Sequence, residues 1–122
     1  KLYAVLRKSW SSSTAYKSCQ SEWVSEDPSY GQCAITATLV YDMFGGSIHR
    51  IRVEGGGTHY FNKITGQYVD LTREQFDLYN IEVAYEPNET MQREYCCKNP
   101  DTNARYRQLQ KNIIAYLKNN ED

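Results

Sequence analysis

The sequence predicts an α+β fold in which a cysteine-bearing helix packs on a small antiparallel sheet and a further helix closes the chain. Three observations carry this. The apolar positions Ala34, Ile35, Ala37, Leu39 and Val40 follow Cys33, and the run stops at Gly45-Gly46. Three short segments, divided at Gly55-Gly56-Gly57 and at Thr65-Gly66, read as strands of one meander. Tyr106, Leu109, Ile113, Ile114 and Leu117 recur at the spacing of one buried helix face. A chain of 122 residues suffices for one core, so residues 1–122 read as a single domain.

The elements follow in order. Leu2, Val5 and Leu6 form a short helical stripe that ends near Trp10, and residues 9–14 make a polar turn. Asp27-Pro28-Ser29-Tyr30-Gly31 is a loop by its turn chemistry. The central helix covers residues 32–44. Residues 47–54 alternate, with His49, Ile51 and Val53 on one face and Arg50 and Arg52 on a solvated face. Strands follow over 58–63 and 67–71. Thr72 and Gln75 stand at capping-box spacing for a short helix. Residues 82–85 read as one more short strand and 89–98 as helix. Asn99-Pro100-Asp101 breaks the chain before a last helix over 102–118.

Composition removes several classes of function. The net charge is -1 and no block of Lys and Arg occurs, so neither nucleic acid nor an anionic membrane is an expected partner. No apolar run reaches membrane-spanning length and no signal-peptide pattern is visible, so a cytoplasmic location is expected. The four cysteines, Cys19, Cys33, Cys96 and Cys97, form no Cys-x-x-Cys pair, and His49 and His59 lack zinc-finger spacing. Reduced thiols without a metal or other cofactor are therefore expected, with Cys96 and Cys97 packing a helix. Gly55-Gly56-Gly57 does not lead from a strand into a helix, so it is no phosphate loop. The 11 tyrosines suit half-buried surfaces, where the ring packs and the hydroxyl stays wet.

The chemistry concentrates in Cys33, His59 and Asp70. A thiol, an imidazole and a carboxylate can serve as nucleophile, base and orienting group. A four-residue loop at Thr65-Gly66 sets His59 directly opposite Asp70, and an odd-length loop would part the two onto opposite faces. A two-residue turn there pairs Ile64 with Gln67 and Asn62 with Val69, which sets Phe61 opposite Asp70. His59 lies two residues from Phe61 and so shares a sheet face with Asp70 as a diagonal neighbour, while Tyr60 and Asn62 point the other way. Cys33 at a helix N-terminus sits among free N–H groups and partial positive charge, which favour a thiolate and can hold an oxyanion. Gln32 adds an amide that can donate to the site. Each residue also has a plain structural reading: Cys33 as a small buried hydrophobe, His59 as a satisfied strand residue, Asp70 as a helix cap. Their order and shared face favour a common site.

Ser29-Tyr30-Gly31-Gln32-Cys33-Ala34-Ile35 resembles the nucleophile motif of the transglutaminases, in which Tyr-Gly-Gln-Cys opens a helix. Thr58-His59-Tyr60-Phe61-Asn62 and Gln67-Tyr68-Val69-Asp70-Leu71-Thr72 are similar to that family's histidine and aspartate strands, although the first has Phe61 where Trp is usual. This resemblance implies a papain-like thiol core and no metal in the chemical step. It also implies a Trp beside the oxyanion, for which Trp10 and Trp23 both qualify; Trp23 is taken with Gln32 as the substrate-binding pair. Over nearly its whole length the chain resembles the small bacterial YunG-like proteins, a family without an established function. Ser9-Trp10-Ser11, Trp23, Phe44-Gly45-Gly46, Glu74-Gln75-Phe76 and Arg105-Tyr106 contribute to that second resemblance.

The expected function is thiol-dependent acyl transfer or hydrolysis on an unidentified amide or ester. The rival expectation is a binding module that keeps the pocket of such a fold without turnover.

Overall fold

The computed structural model describes residues 1–53 and 57–120, apart from the Cys97 side chain. Helix α1 covers Leu2–Ser9 and leads through two 3-10 turns, Ser12–Thr14 and Lys17–Glu22, into helix α2, Cys33–Phe44. Strands β1, Ser47–Arg52, β2, Thr58–Ile64, and β3, Gln67–Val69, follow. A short helix α3, Glu74–Asp77, precedes strand β4, Glu89–Met91, helix α4, Arg93–Cys97, and the long helix α5, Pro100–Asn119. The result is α+β with one antiparallel four-stranded sheet in the order β3-β2-β1-β4 and a C-terminal helix.

Helix α2 is the centre of the molecule. Its residues from Ile35 to Val40 are all buried, the pattern of a helix covered on every side. Ile35 and Leu39 meet Leu6, Trp10, Tyr106 and Leu109 from α1, the following turn and α5. Ala37 meets Ile48 and Cys96 on the other side. The Asn62 side chain reaches from β2 and donates Nδ2–H to the Ala37 carbonyl at 2.9 Å, which pins the sheet to the helix. Gly46 permits the tight entry into β1: its φ is +76°, and an added Cβ would lie 2.3 Å from the Lys63 carbonyl oxygen.

Four elements differ from expectation. The helix expected over 89–98 forms only at Arg93–Cys97, because Glu89–Met91 pairs with β1 as strand β4. Residues 82–85 form no strand; β4 lies further on and pairs Thr90 with His49 at the outer edge of β1. The cause is tertiary, because Tyr85 is drawn across the sheet face to Asp70 and Phe61. The expected capping box is not made. Thr72 Oγ1 donates to the Asp70 carboxylate at 3.2 Å, and Arg73 occupies the N-cap position without a side-chain cap. The N–H that would close the box, that of Gln75, donates to Ser29 Oγ at 3.0 Å instead. In α5, Tyr106 and Leu109 are buried and Ile113 packs against the core, but Ile114 and Leu117 are exposed, because α5 runs on past its neighbours. The Gly55-Gly56 part of the glycine turn, the end of the first strand at Glu54 and the packing of Cys97 lie outside the described residues.

Candidate functional site

Cys33 is the first residue of α2, with Gln32 as N-cap. The preceding loop is fixed from two directions. Gly31 takes φ +75°, and a Cβ there would stand 2.9 Å from the Cβ of Cys19, so glycine suits both the turn and the close approach. Ser29 Oγ donates to the Thr72 carbonyl at 3.2 Å and accepts from the Gln75 N–H at 3.0 Å. Gly31 N–H donates to Gln75 Oε1 at 3.4 Å. The segment that carries Cys33 is thereby tied to the segment that follows Asp70. Among the described residues, no backbone carbonyl accepts from the N–H of Cys33 or Ala34, as expected for the first turn of a helix.

The hairpin has the anticipated register, with Ile64 opposite Gln67 and Asn62 opposite Val69. Thr65 and Gly66 both take positive φ, the backbone of a two-residue hairpin turn. His59 and Asp70 therefore share a face, and His59 Nε2 donates to Asp70 Oδ2 at 2.7 Å. Asp70 makes four bonds with its two oxygens. Oδ2 also accepts from the Tyr85 hydroxyl at 2.8 Å. Oδ1 accepts from the Thr72 N–H and hydroxyl, both at 3.2 Å. One carboxylate oxygen holds the turn and the other holds the imidazole.

His59 is 1% exposed. Phe76 stands edge-on to its ring at 4.7 Å between centroids, and Phe61 stacks at 6.2 Å. Burial alone pulls its pKa down, but the bond to Asp70 and the neighbouring Cys33 thiol outweigh that and raise it to about 9. Its second nitrogen, Nδ1, makes no hydrogen bond of ordinary geometry within the described residues. Cys33 Sγ lies 3.9 Å from the Thr58 carbonyl oxygen, at the residue before His59.

The thiol is half-buried and lies on the wall of a cavity of about 790 Å³. Tyr16, Tyr30, Tyr60, Tyr95 and Phe76 give this cavity its aromatic walls. The two binding candidates named with Cys33 are placed elsewhere. The Gln32 side chain is fully buried; its Oε1 accepts from Thr14 Oγ1 at 2.8 Å and its Nε2 donates to the Ser11 carbonyl at 3.0 Å. Its backbone N–H is taken by the Ser29 carbonyl at 3.1 Å. Gln32 is thus an anchor for the residue-11–14 turn, and its full burial keeps its side chain from a ligand. Trp23 lines a separate cavity of about 280 Å³, because its Nε1–H closes a loop on the Pro28 carbonyl at 3.0 Å. Trp10 is buried and donates to Thr36 Oγ1 at 3.0 Å.

The model of the family described as YunG protein matches residues 1–118. This chain belongs to the YunG family. A relative from Bacillus subtilis (strain 168), described as "Uncharacterized protein YunG", is 42% identical over 72 residues, which are 59% of this chain and 57% of that protein. The match therefore spans little more than half of the relative's length. No solved structure matches. Family membership accordingly brings no substrate, and the chemistry rests on the site itself. Among the described residues no helix is long and apolar enough to cross a membrane, and no group of three or more His, Cys, Asp or Glu residues is placed to hold a metal ion.

Four side chains of the site escaped sequence reasoning. Tyr85 approaches Asp70 from a loop 15 residues on, and nothing local marks it. Thr72, Gln75 and Phe76 were legible as a motif but pointed to a helix cap. The usable signal was Asp70-Leu71-Thr72, because an Asp two residues before a Thr can accept from both its N–H and its hydroxyl.

Proposed function

We propose that this YunG-family chain performs thiol-dependent acyl chemistry on an amide or ester, with Cys33 as nucleophile, His59 as proton carrier and Asp70 as the group that orients His59. The observation that carries the reading is the state of His59. Its ring is buried, tied by Nε2 to a carboxylate, raised to a pKa of about 9, and left with Nδ1 open beside a thiol. A purely structural histidine has both nitrogens satisfied; this one keeps a nitrogen available for proton transfer.

The step follows from that geometry. Sγ attacks the substrate carbonyl carbon as its proton passes to His59. The carbonyl oxygen takes the negative charge beside the unpaired N–H groups of Cys33 and Ala34. His59 returns the proton to the leaving amine or alcohol as the C–N or C–O bond breaks. Water or an amine then attacks the thioester, gives a proton to His59 and frees the thiol. A cysteine-bearing helix packed on an antiparallel sheet is also what the papain-like, transglutaminase-like resemblance implies.

The test is acylation by p-nitrophenyl esters, followed by nitrophenolate release and by mass spectrometry of the trapped protein. The expected result is a burst of one nitrophenolate per chain, with the acyl mass on Cys33, lost in Cys33→Ala. Acylation spread over all cysteines, or unchanged in Cys33→Ala, overturns the reading and leaves the cavity as a binding module.

A further inference from the structure

The charged residues of the Cys33 cavity have one sign. Arg50, Lys98 and Arg105 line it, and among the described residues no Asp or Glu does. The whole chain carries net charge -1, so this bias is not a reflection of composition. The three cations are held differently. Arg105 is 4% exposed and donates to Asp101 Oδ2 at 3.1 Å, the Thr14 carbonyl at 3.1 Å and Thr102 Oγ1 at 3.3 Å. Arg50 pairs with the exposed Glu89 at 3.0 Å and donates to the Tyr95 hydroxyl at 3.4 Å. Lys98 is exposed and makes no ion pair among the described residues; its Nζ stands 5.8 Å from the centre of the Tyr95 ring. Two of the positive charges are offset by carboxylates outside the cavity, and Lys98 is the one left over. The strand face expected to be solvated at Arg50 and Arg52 is exposed only at Arg52, and Arg50 is half-buried.

We infer that the acyl group brought to Cys33 carries a negative charge, of the carboxylate class, which Lys98 meets while the tyrosines cover the apolar part between charge and carbonyl. This rests on the acyl-chemistry reading and narrows its substrate class. A cavity with walls of low dielectric and charge of one sign focuses its field and raises the local concentration of the opposite charge. The Cys33 end of α2 adds partial positive charge at the reacting end of the same cavity. Tyrosine and Phe76 faces supply contact area without a competing anion.

The test compares two esters of matched chain length, p-nitrophenyl hexanoate and the mono-p-nitrophenyl ester of adipate, on the native chain and on Lys98→Glu and Lys98→Gln. The readout is the ratio of their Cys33 acylation rates. The expected ratio favours adipate by about tenfold or more at low salt, falls as ionic strength rises, and drops in the order native, Lys98→Gln, Lys98→Glu. Circular dichroism confirms that both variants fold, and the salt series on the native chain reads the same charge preference without any variant. A Cys33 acylated equally by both esters, with a ratio indifferent to salt and to Lys98, overturns the anionic substrate while the thiol chemistry stands. Failure of both esters to acylate Cys33 overturns both readings.

Discussion

The two histidines occupy the same sheet face and share a neighbour, yet the protein treats them differently. His49 and His59 are both buried, and both stack on Phe61. His49 bonds Ser47 Oγ through Nε2 at 2.7 Å and Asn88 Oδ1 through Nδ1 at 2.9 Å. Both partners are neutral and both nitrogens are satisfied, so the ring serves as a polar strut between β1 and the loop before β4. His59 has a carboxylate on one nitrogen and nothing of ordinary hydrogen-bond geometry on the other. Burial is therefore no guide to function on this face. What separates the two rings is which hydrogen-bonding capacity the fold leaves unspent, and beside which group.

The sharpest way to break this comparison is to replace each ring by glutamine. His59→Gln is expected to slow Cys33 acylation by about 10²–10⁴-fold, the usual contribution of a positioned proton carrier. His49→Gln is expected to leave that rate near native and to cost about 1–3 kcal/mol in urea denaturation, because Ser47 and Asn88 lose buried partners. Equal effects of the two variants on rate and on stability would erase the distinction.

Asp70→Asn removes the charge that holds His59. Its expected signature is a fall of the His59 pKa from about 9, read by the pH dependence of its ring NMR signals. Losing a charge-assisted bond should also cost about 1.5–3 kcal/mol of stability. A ring that still titrates near its native value would mean that the carboxylate does not set its charge.

Native-chain stability should depend on pH with a definite sign. The folded-state pKa of His59 is raised from 6.5 to about 9. Its contribution is fully present below about pH 6.5 and is lost as pH rises through about 9. Urea midpoints should therefore fall across that window, and the slope should be absent in His59→Gln. A midpoint that rises with pH there would reverse the assignment.

The smallest effect belongs to Tyr85→Phe. The Tyr85 hydroxyl shares Asp70 Oδ2 with His59. Without it, more of the carboxylate charge acts on the imidazole, so the His59 pKa should move up, opposite to Asp70→Asn. The stability cost should be about 1 kcal/mol. A downward shift would show that Tyr85 holds the position of Asp70 rather than its charge.

The sequence by itself determined the parts governed by local rules. Strand parity and a two-residue turn at Thr65-Gly66 bring His59 and Asp70 to one face, because side-chain direction alternates with period two. The body of α2, its stop at Gly45-Gly46 and the helical closing segment follow from glycine and apolar spacing. Only the tertiary structure decided the rest. Gln32 and Trp23 have side chains whose chemistry suits either an anchor or a ligand contact, and Thr14, Ser11 and Pro28 claimed them first. Tyr85 reaches Asp70 across a loop without periodicity, and the charge of the cavity depends on β1, α4 and α5 meeting at one mouth. Such pairings are settled by which donors and acceptors remain unspent after packing, a property of distant segments in contact that no spacing along the chain encodes.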